Sequence, residues 1–497
     1  MLAGALLALA AWGCLPEEKT PGSDGQEEVI EFDASVAVVG EDDSPLSTAS
    51  YTVHASASAT PTPQQVDAGG KFRLSGLTGP VLVIIEAPGF LAEPLVVDSG
   101  ASRTPARVRM LKEAGPFGER RIVMHFAGDV MLGRRYLEPT SAVSAVVTPG
   151  DGGASARRVV DSIAPLFAAA HVRSLNLETV IGTLPREEAY PKKRFLLQSP
   201  PEIVSLLDEL EVSFVTLGNN HARDWLDPGV ESILQVLGSA GVPYVGAGMT
   251  PAEARETLLI DAEGYKIGLL SYTTVNGDFV NDSLPLNITP VPNPLPASEA
   301  WQYELRTFEY HGVSVDIEST PTRRVGEVWL RFKEAEESGA TETEIADLWG
   351  KLEEVYPELQ DWVARRGHGG ANPYDFSQIA ADISSLRTRG ADLVVVQFHG
   401  GFQFFEVKSE ALQAAAYRAI DNGADLVVCH HPHVLQGFEW YQGKLIAYSL
   451  GNFVFDQDFL STFPSAVLRV VFEERSLLEA RVYPIVLENY RPVPLGG

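Results

Sequence analysis

The chain has 497 residues, 45% apolar and 21% charged, a balance that excludes wholesale disorder and leaves room for two to four domains. Acidic residues outnumber basic ones by 66 to 38, a formal charge of -28, which argues against nucleic acid or another long polyanion as partner. Two cysteines, Cys14 and Cys429, exclude a disulfide framework and an all-thiolate metal site, so any metal is held by oxygen and nitrogen.

Residues 1–14, MLAGALLALAAWGC, form an apolar run too short to span a bilayer but long enough for a signal-peptide core. Ala11-Trp12-Gly13-Cys14 resembles the lipobox of bacterial lipoproteins. That resemblance implies lipidation of Cys14 and an exported protein anchored to a membrane of the bacterial cell envelope; a buried N-terminal element with an incidental cysteine is the alternative. Residues 15–28 are polar and acidic, as a tether would be. From 29 to 112, short alternating runs such as GKFRLSGLTG, PVLVIIEAPGF and EPLVVDSG alternate with Gly, Pro and Asp, which predicts a small all-β sandwich. The stretch GGKFRLSGLTGPVLVIIEAPGFLAEPLVV resembles carboxypeptidase regulatory-like domains. It holds no catalytic cluster, and its His54 reads as a surface residue, so the unit is a spacer or a binding module.

Residues 113–120 read as a linker, after which the chain becomes α/β through residue 497. Apolar runs predict strands over Ile122–Ala127, Val172–Leu177, Val212–Leu217, Leu393–Phe398 and Leu426–Cys429, with helices over Pro201–Leu210 and Pro228–Ala240 between them. Each strand runs into polar residues: Gly128-Asp129, Glu178, Asn220-His221, His399, and His430-His431-Pro432-His433. One such residue is commonly a cap or a turn. Five strands doing the same at the end where α/β sheets place their ligands point to one site. Five of the ten histidines lie there. Carboxylates, an amide and imidazoles together suit one or two divalent metal ions; a pair about 3.5–4 Å apart needs a shared carboxylate and clamps a phosphoryl group. Mixed oxygen and imidazole donors favour Mn, Fe or Zn over Mg. Cys429 reads as a buried packing residue.

The motifs GDVMLGR, NLE, GNNHARD, HHPHVLQ and SLGNFVFD, in that order, resemble those of the CapA proteins of poly-gamma-glutamate capsule biosynthesis, a branch of the calcineurin-like metallophosphoesterase superfamily. The resemblance spans roughly residues 121–490 and implies a four-layer α/β/β/α metallophosphoesterase-like sandwich behind the small β-sandwich. It further implies that Glu178 bridges the metals and that Asp129, Asn220, His399, His431 and His433 complete their coordination. His221 becomes the general acid and Arg134 a substrate contact. Asp224 either orients His221 or supplies a helix N-terminal charge. Met131 stands where the superfamily has a histidine ligand. The basic cluster Lys192-Lys193-Arg194 reads as a loop surface or, in an otherwise acidic chain, as a patch that attracts an anionic ligand. Glu406 is a displaced match to a family glutamate, and Asn452 and Asp456 are either groups behind the ligands or turn residues. Residues 276–372, opening on PLNITPVPNPLPASEA and continuing into charged helical sequence from Val325 to Arg366, exceed the family core and read as an insertion.

Three functions fit. One is a cell-surface metal-dependent hydrolase acting on a phosphoester. Another is an accessory or anchoring protein in the assembly or export of a surface polymer, working with capsule-synthesis machinery. The third is a binding module whose metal is structural.

Overall fold

The computed structural model describes residues 31–54, 61–98, 107–139, 144–190, 193, 195–275, 361–365 and 367–495, with strands and helices between 289 and 355. Cys14, the apolar segment before it and the tether lie outside the described residues. No helix among the described residues is long and apolar enough to cross a membrane.

The N-terminal unit is two small sheets sharing one core. Phe32–Val39 pairs antiparallel with Lys71–Leu77 and parallel with Arg107–Arg109. Facing them, Ser50–His54, Gln64–Gln65, Val81–Glu86 and Glu93–Val97 form a four-stranded antiparallel sheet. Val36, Val38, Phe72, Val83, Ile85 and Val97 close between the sheets. The run VLVIIE is apolar at successive positions because the strand is covered on both faces. Val83 and Ile85 point into the small core, while Leu82 and Ile84 join Phe167 and Tyr483 in the core of the next unit.

Beyond residue 113 the fold is mixed α/β. One sheet runs in the order Tyr244–Val245, Phe214–Thr216, Val172–Leu177, Arg121–Val130, Pro464–Glu473, Ser476–Glu488, Arg491–Pro494, with Asn452–Val454 pairing beside Arg121–Val130. A second runs Leu258–Ala262, Tyr265–Thr273, Leu393–His399, Leu426–His430, Lys444–Ala447, Phe438–Tyr441. Met124, Phe126, Leu468 and Val470 of the first share a core with Ile267, Leu269, Val395 and Val428 of the second. On its other face the first sheet packs against the helices Ala154–Val160, Ile203–Glu209 and Leu226–Ala240. The second is covered by Ile379–Thr388 and Glu410–Asp421. Buried Cys429 lies in that layer as a packing residue.

The predicted strands are present, Val172–Leu177 with the bounds predicted and the others with shifted ends. The first runs Arg121–Val130, so Asp129 lies on the strand rather than after it. Gly128 permits this: a Cβ there would stand 1.8 Å from the carbonyl oxygen of Gly451, whose chain continues into the strand paired at Asn452↔Asp129. The third shortens to Phe214–Thr216. In the 276–372 segment the charged sequence forms helices Glu327–Ser338 and Glu342–Val355, packed through Phe332 and Trp349, whose ring centroids are 5.3 Å apart. Its last residues belong with the core: Ala371 pairs with Ala247, and Asn372 N donates to Gly246 O at 2.8 Å.

Candidate metal centre

Parallel strands carry their C-terminal ends to the same edge of a sheet, and both large sheets do so toward one spot. Glu178 follows Val172–Leu177 and is fully buried. Its Oε1 lies 3.4 Å from His399 Nε2, 3.8 Å from His221 Nε2 and 3.9 Å from His433 Nε2. Asn220 Oδ1 is 2.6 Å from His399 Nε2, and His431 Nδ1 is 3.0 Å from the same nitrogen. On the other side, His433 Nδ1 stands 3.2 Å from Asp129 Oδ2 and 2.9 Å from Asn452 Oδ1. Two donor groups result, Glu178 with His399 and His431, and Asp129 with Glu178 and His433. Glu178 belongs to both, the position of a bridge.

The donors fit cations. Both carboxylate oxygens of Glu178 are buried without a hydrogen-bond partner among the described residues, a costly state for a polar group. Burial, with the Asp129 and Asp224 charges nearby, pushes the Glu178 carboxyl well above its ordinary range, while His433 pulls the other way. Burial works against a charge on His433, yet Glu178, Asp129 and Asn452 raise its pKa to about 9, so the site draws positive charge inward. Burial lowers His399 to about 3 despite the pull of Asp129, and keeps its imidazole neutral as ligation requires. His431 and His433 hold φ values of 97° and 58°, left-handed backbone that residues with a Cβ rarely adopt and that functional turns retain.

Behind these atoms lies a scaffold of which only the Asp224 contact is among the sequence expectations. Asn176 Nδ2 donates to Asp129 Oδ1 at 2.8 Å and lies 3.2 Å from His399 Nδ1, while its Oδ1 accepts from Thr216 and Asn219. Asn219 Oδ1 in turn accepts from the His221 amide at 3.1 Å. Asp224 accepts from Leu197 N at 2.6 Å and lies 2.7 Å from His221 Nδ1, so it orients the imidazole. Lys193 is buried; its Nζ donates to Asn220 O and to Asp224 Oδ1, both at 2.5 Å, and sits 4.2 Å from the Trp362 ring centre. His430 Nε2 is 2.9 Å from Gln397 Oε1, and its Nδ1 is 3.6 Å from Asp129.

Every candidate ligand therefore converges: Asp129, Glu178, Asn220, His399, His431 and His433, with His221 and Asp224 at the rim. Met131 packs against Leu197 and Phe455, and its Sδ accepts from Gly133 N. Arg134 directs its guanidinium to the Asp456 carboxylate, leaving the side chain about a third exposed. Asn452 and Asp456 thus hold the candidate ligand His433 and Arg134 in place. Lys193 is a site residue, not a loop surface; the cue in the sequence was a basic residue in an acidic chain near the metal motifs, which alone does not tell burial from exposure. Asn176 is visible as the first residue of the NLE motif, which by itself attaches no role to it.

Residues 123–457 match the family described as "Bacterial capsule synthesis protein PGA_cap". The "PGA biosynthesis protein CapA" of Bacillus subtilis is 26% identical over 74% of this chain and 73% of its own length. The "Capsule biosynthesis protein CapA" of Bacillus anthracis is 22% identical over 76% of this chain and 70% of its own. A hypothetical protein from Thermus thermophilus of solved structure covers 73% of this chain and 98% of its own, at 14% identity and a TM-score of 0.34.

Proposed function

The chain belongs to the PGA_cap family of bacterial capsule synthesis proteins, and from that membership we propose that it is a metal-dependent hydrolase of the phosphoester type, working at the cell surface in the making of a poly-gamma-glutamate-like polymer. The observation that carries the reading is Glu178, a buried carboxylate with no protein partner, shared by two donor groups. The two facing sheets with their helical covers are read as a four-layer metallophosphoesterase-like sandwich. The N-terminal unit is read as carboxypeptidase regulatory-like, and the anchor as a lipid on Cys14.

When bound, one or two divalent ions would neutralise the charge that builds on a phosphoryl group. Asp129, Glu178 and His433 would hold one, and Glu178, Asn220, His399 and His431 the other. His221 manages the proton. Burial lowers its pKa to about 4 against the pull of Asp224, so the resting imidazole is neutral. With Nδ1 committed to Asp224, Nε2 would take a proton from the attacking water and pass it to the departing oxygen as general acid. Arg134 would meet the substrate with the exposed part of its guanidinium.

Metal analysis of the purified protein tests this first: bound Mn, Fe or Zn is expected in the wild type and a large loss in Glu178→Ala. Equal, negligible metal in both would end the proposal. A panel of phosphomonoesters and phosphodiesters follows, with turnover expected to fall at least a hundredfold in His221→Ala.

A non-catalytic accessory role is the second reading. It is favoured by the buried thioether of Met131, which packs against Leu197 and Phe455 where the superfamily has a histidine. Metal bound without turnover on any ester would support it.

A further inference from the structure

One edge of the metal centre is aromatic. The loop that follows His399 carries Phe402, Phe404 and Phe405, each between 42% and 46% exposed, and Phe459 and Leu460 stand out from the loop after Asn452–Val454. Phe404 connects them: its ring centroid is 5.3 Å from that of Phe459 and 6.1 Å from that of His433. Phe402 and Phe405 lie 6.0 Å apart, centroid to centroid.

This loop is held in place. Gly400 N donates to His430 O at 3.0 Å, and Phe404 N to Pro432 O at 2.8 Å. Gln436 Nε2 donates to Phe405 O at 2.7 Å and to Val407 O at 3.2 Å. Phe404 is fixed at a φ of 66°, in the left-handed region. Three phenylalanines within four residues are thus kept half in water by a pinned backbone, one of them in a disfavoured conformation. A contiguous apolar patch of that kind marks a contact surface, and strain of that kind is retained at working sites.

We infer that this shelf binds the apolar part of the ligand whose anionic group the metals hold, so that the substrate class is an amphiphilic phosphoester, a phosphate bonded to a hydrocarbon chain. The inference rests on the phosphoester reading of the centre. His433 belongs to both surfaces: its nitrogens face Asp129 and Glu178, and its ring adjoins Phe404. A phosphate at the metals therefore has its ester substituent within about one ring's width of the shelf. The net charge of -28 gives no long-range attraction to an anionic bilayer or polymer, which leaves burial of hydrocarbon as the recognition the shelf supplies.

The test uses the full chain loaded with Mn or Zn, titrated with inorganic phosphate and with butyl, hexyl and octyl phosphate below their micelle concentrations. Full burial of a methylene is worth about fourfold in affinity, so octyl phosphate is expected to bind at least tenfold more tightly than butyl phosphate. In the double variant F404A/F459A, both positions exposed and the melting temperature unchanged, the chain-length dependence flattens while phosphate affinity stays. Equal affinity along the series in the wild type, with phosphate still bound, would overturn the shelf and leave the phosphoester reading standing. No binding of phosphate or any ester by the metal-loaded protein would bring down both. Metal-independent binding to phosphatidylcholine vesicles, lost in the double variant, would also overturn the inference and make the shelf a membrane contact.

Discussion

Lys193 shows how much of a site can rest on one side chain. Its ammonium is buried and its donors are committed to a ligand's backbone carbonyl and to the carboxylate that orients His221. Removing the charge in Lys193→Met leaves Asp224 buried beside His221 without its cation, a change expected to cost about 3 kcal/mol in denaturant unfolding. The double variant Lys193→Met/Asp224→Asn should recover part of that loss. Metal affinity, measured by competition with a chelator, should fall in Lys193→Met because Asn220 loses its brace; unchanged affinity and stability would refute the role. The candidate ligands stood out because each sits at the end of an apolar run and imidazole is scarce. Asn176 and Lys193 did not: an asparagine inside a strand and a lysine in a basic triplet carry no mark of burial, and only the fold sets them against Asp129 and Asp224.

At the scale of elements, the edge strand Phe438–Tyr441 is tied to the helix Glu410–Asp421 by one carboxylate. Glu439 accepts from Lys408, from Tyr417, from Gln413 at 3.2 Å and from Tyr448 at 2.8 Å. The Lys408 bond, then that of Tyr417, lowers its pKa from 4.5 to about 2, while burial opposes them. The folded pKa lies below the unfolded one, so the stabilisation is complete above pH 4.5 and is lost as pH falls toward 2. The melting temperature of Glu439→Gln should therefore lie below that of the wild type at pH 7, with the gap closing on acidification through that window. A gap independent of pH would show that the cluster acts by packing alone. Five strands of the α/β unit were readable from apolar runs, while Tyr265–Thr273, Pro464–Glu473 and Ser476–Glu488 were not read, and strand ends depended on remote partners: Asp129 is drawn onto its strand by a neighbour that begins at Asn452.

Across the whole molecule, the β-sandwich is fastened to the α/β unit and is no loose spacer. Glu93, 1% exposed, pairs with Arg481 and with Arg469 at 3.5 Å, and Arg469 is itself fully buried. Glu93→Ala leaves that arginine with Glu479 as its remaining carboxylate partner among the described residues, at an expected cost of about 3 kcal/mol, and should lower or split the unfolding transition seen by calorimetry. An unchanged profile would mean that the two units are thermodynamically separate. The sequence could not reveal this docking, since five successive apolar residues in a strand say that both faces are covered and not by what.

The partners in that junction, Glu93 and Arg481, are 388 residues apart, a span that takes about 20–80 s to synthesise at 5–20 residues per second. The Glu93–Val97 strand, whose Pro94 carbonyl accepts from Tyr483, therefore emerges from the ribosome long before the face of the C-terminal hairpin that packs on it. Nascent chains would pass through a prolonged stage with that strand bare, a period in which chaperone capture or delayed compaction decides the yield of finished protein.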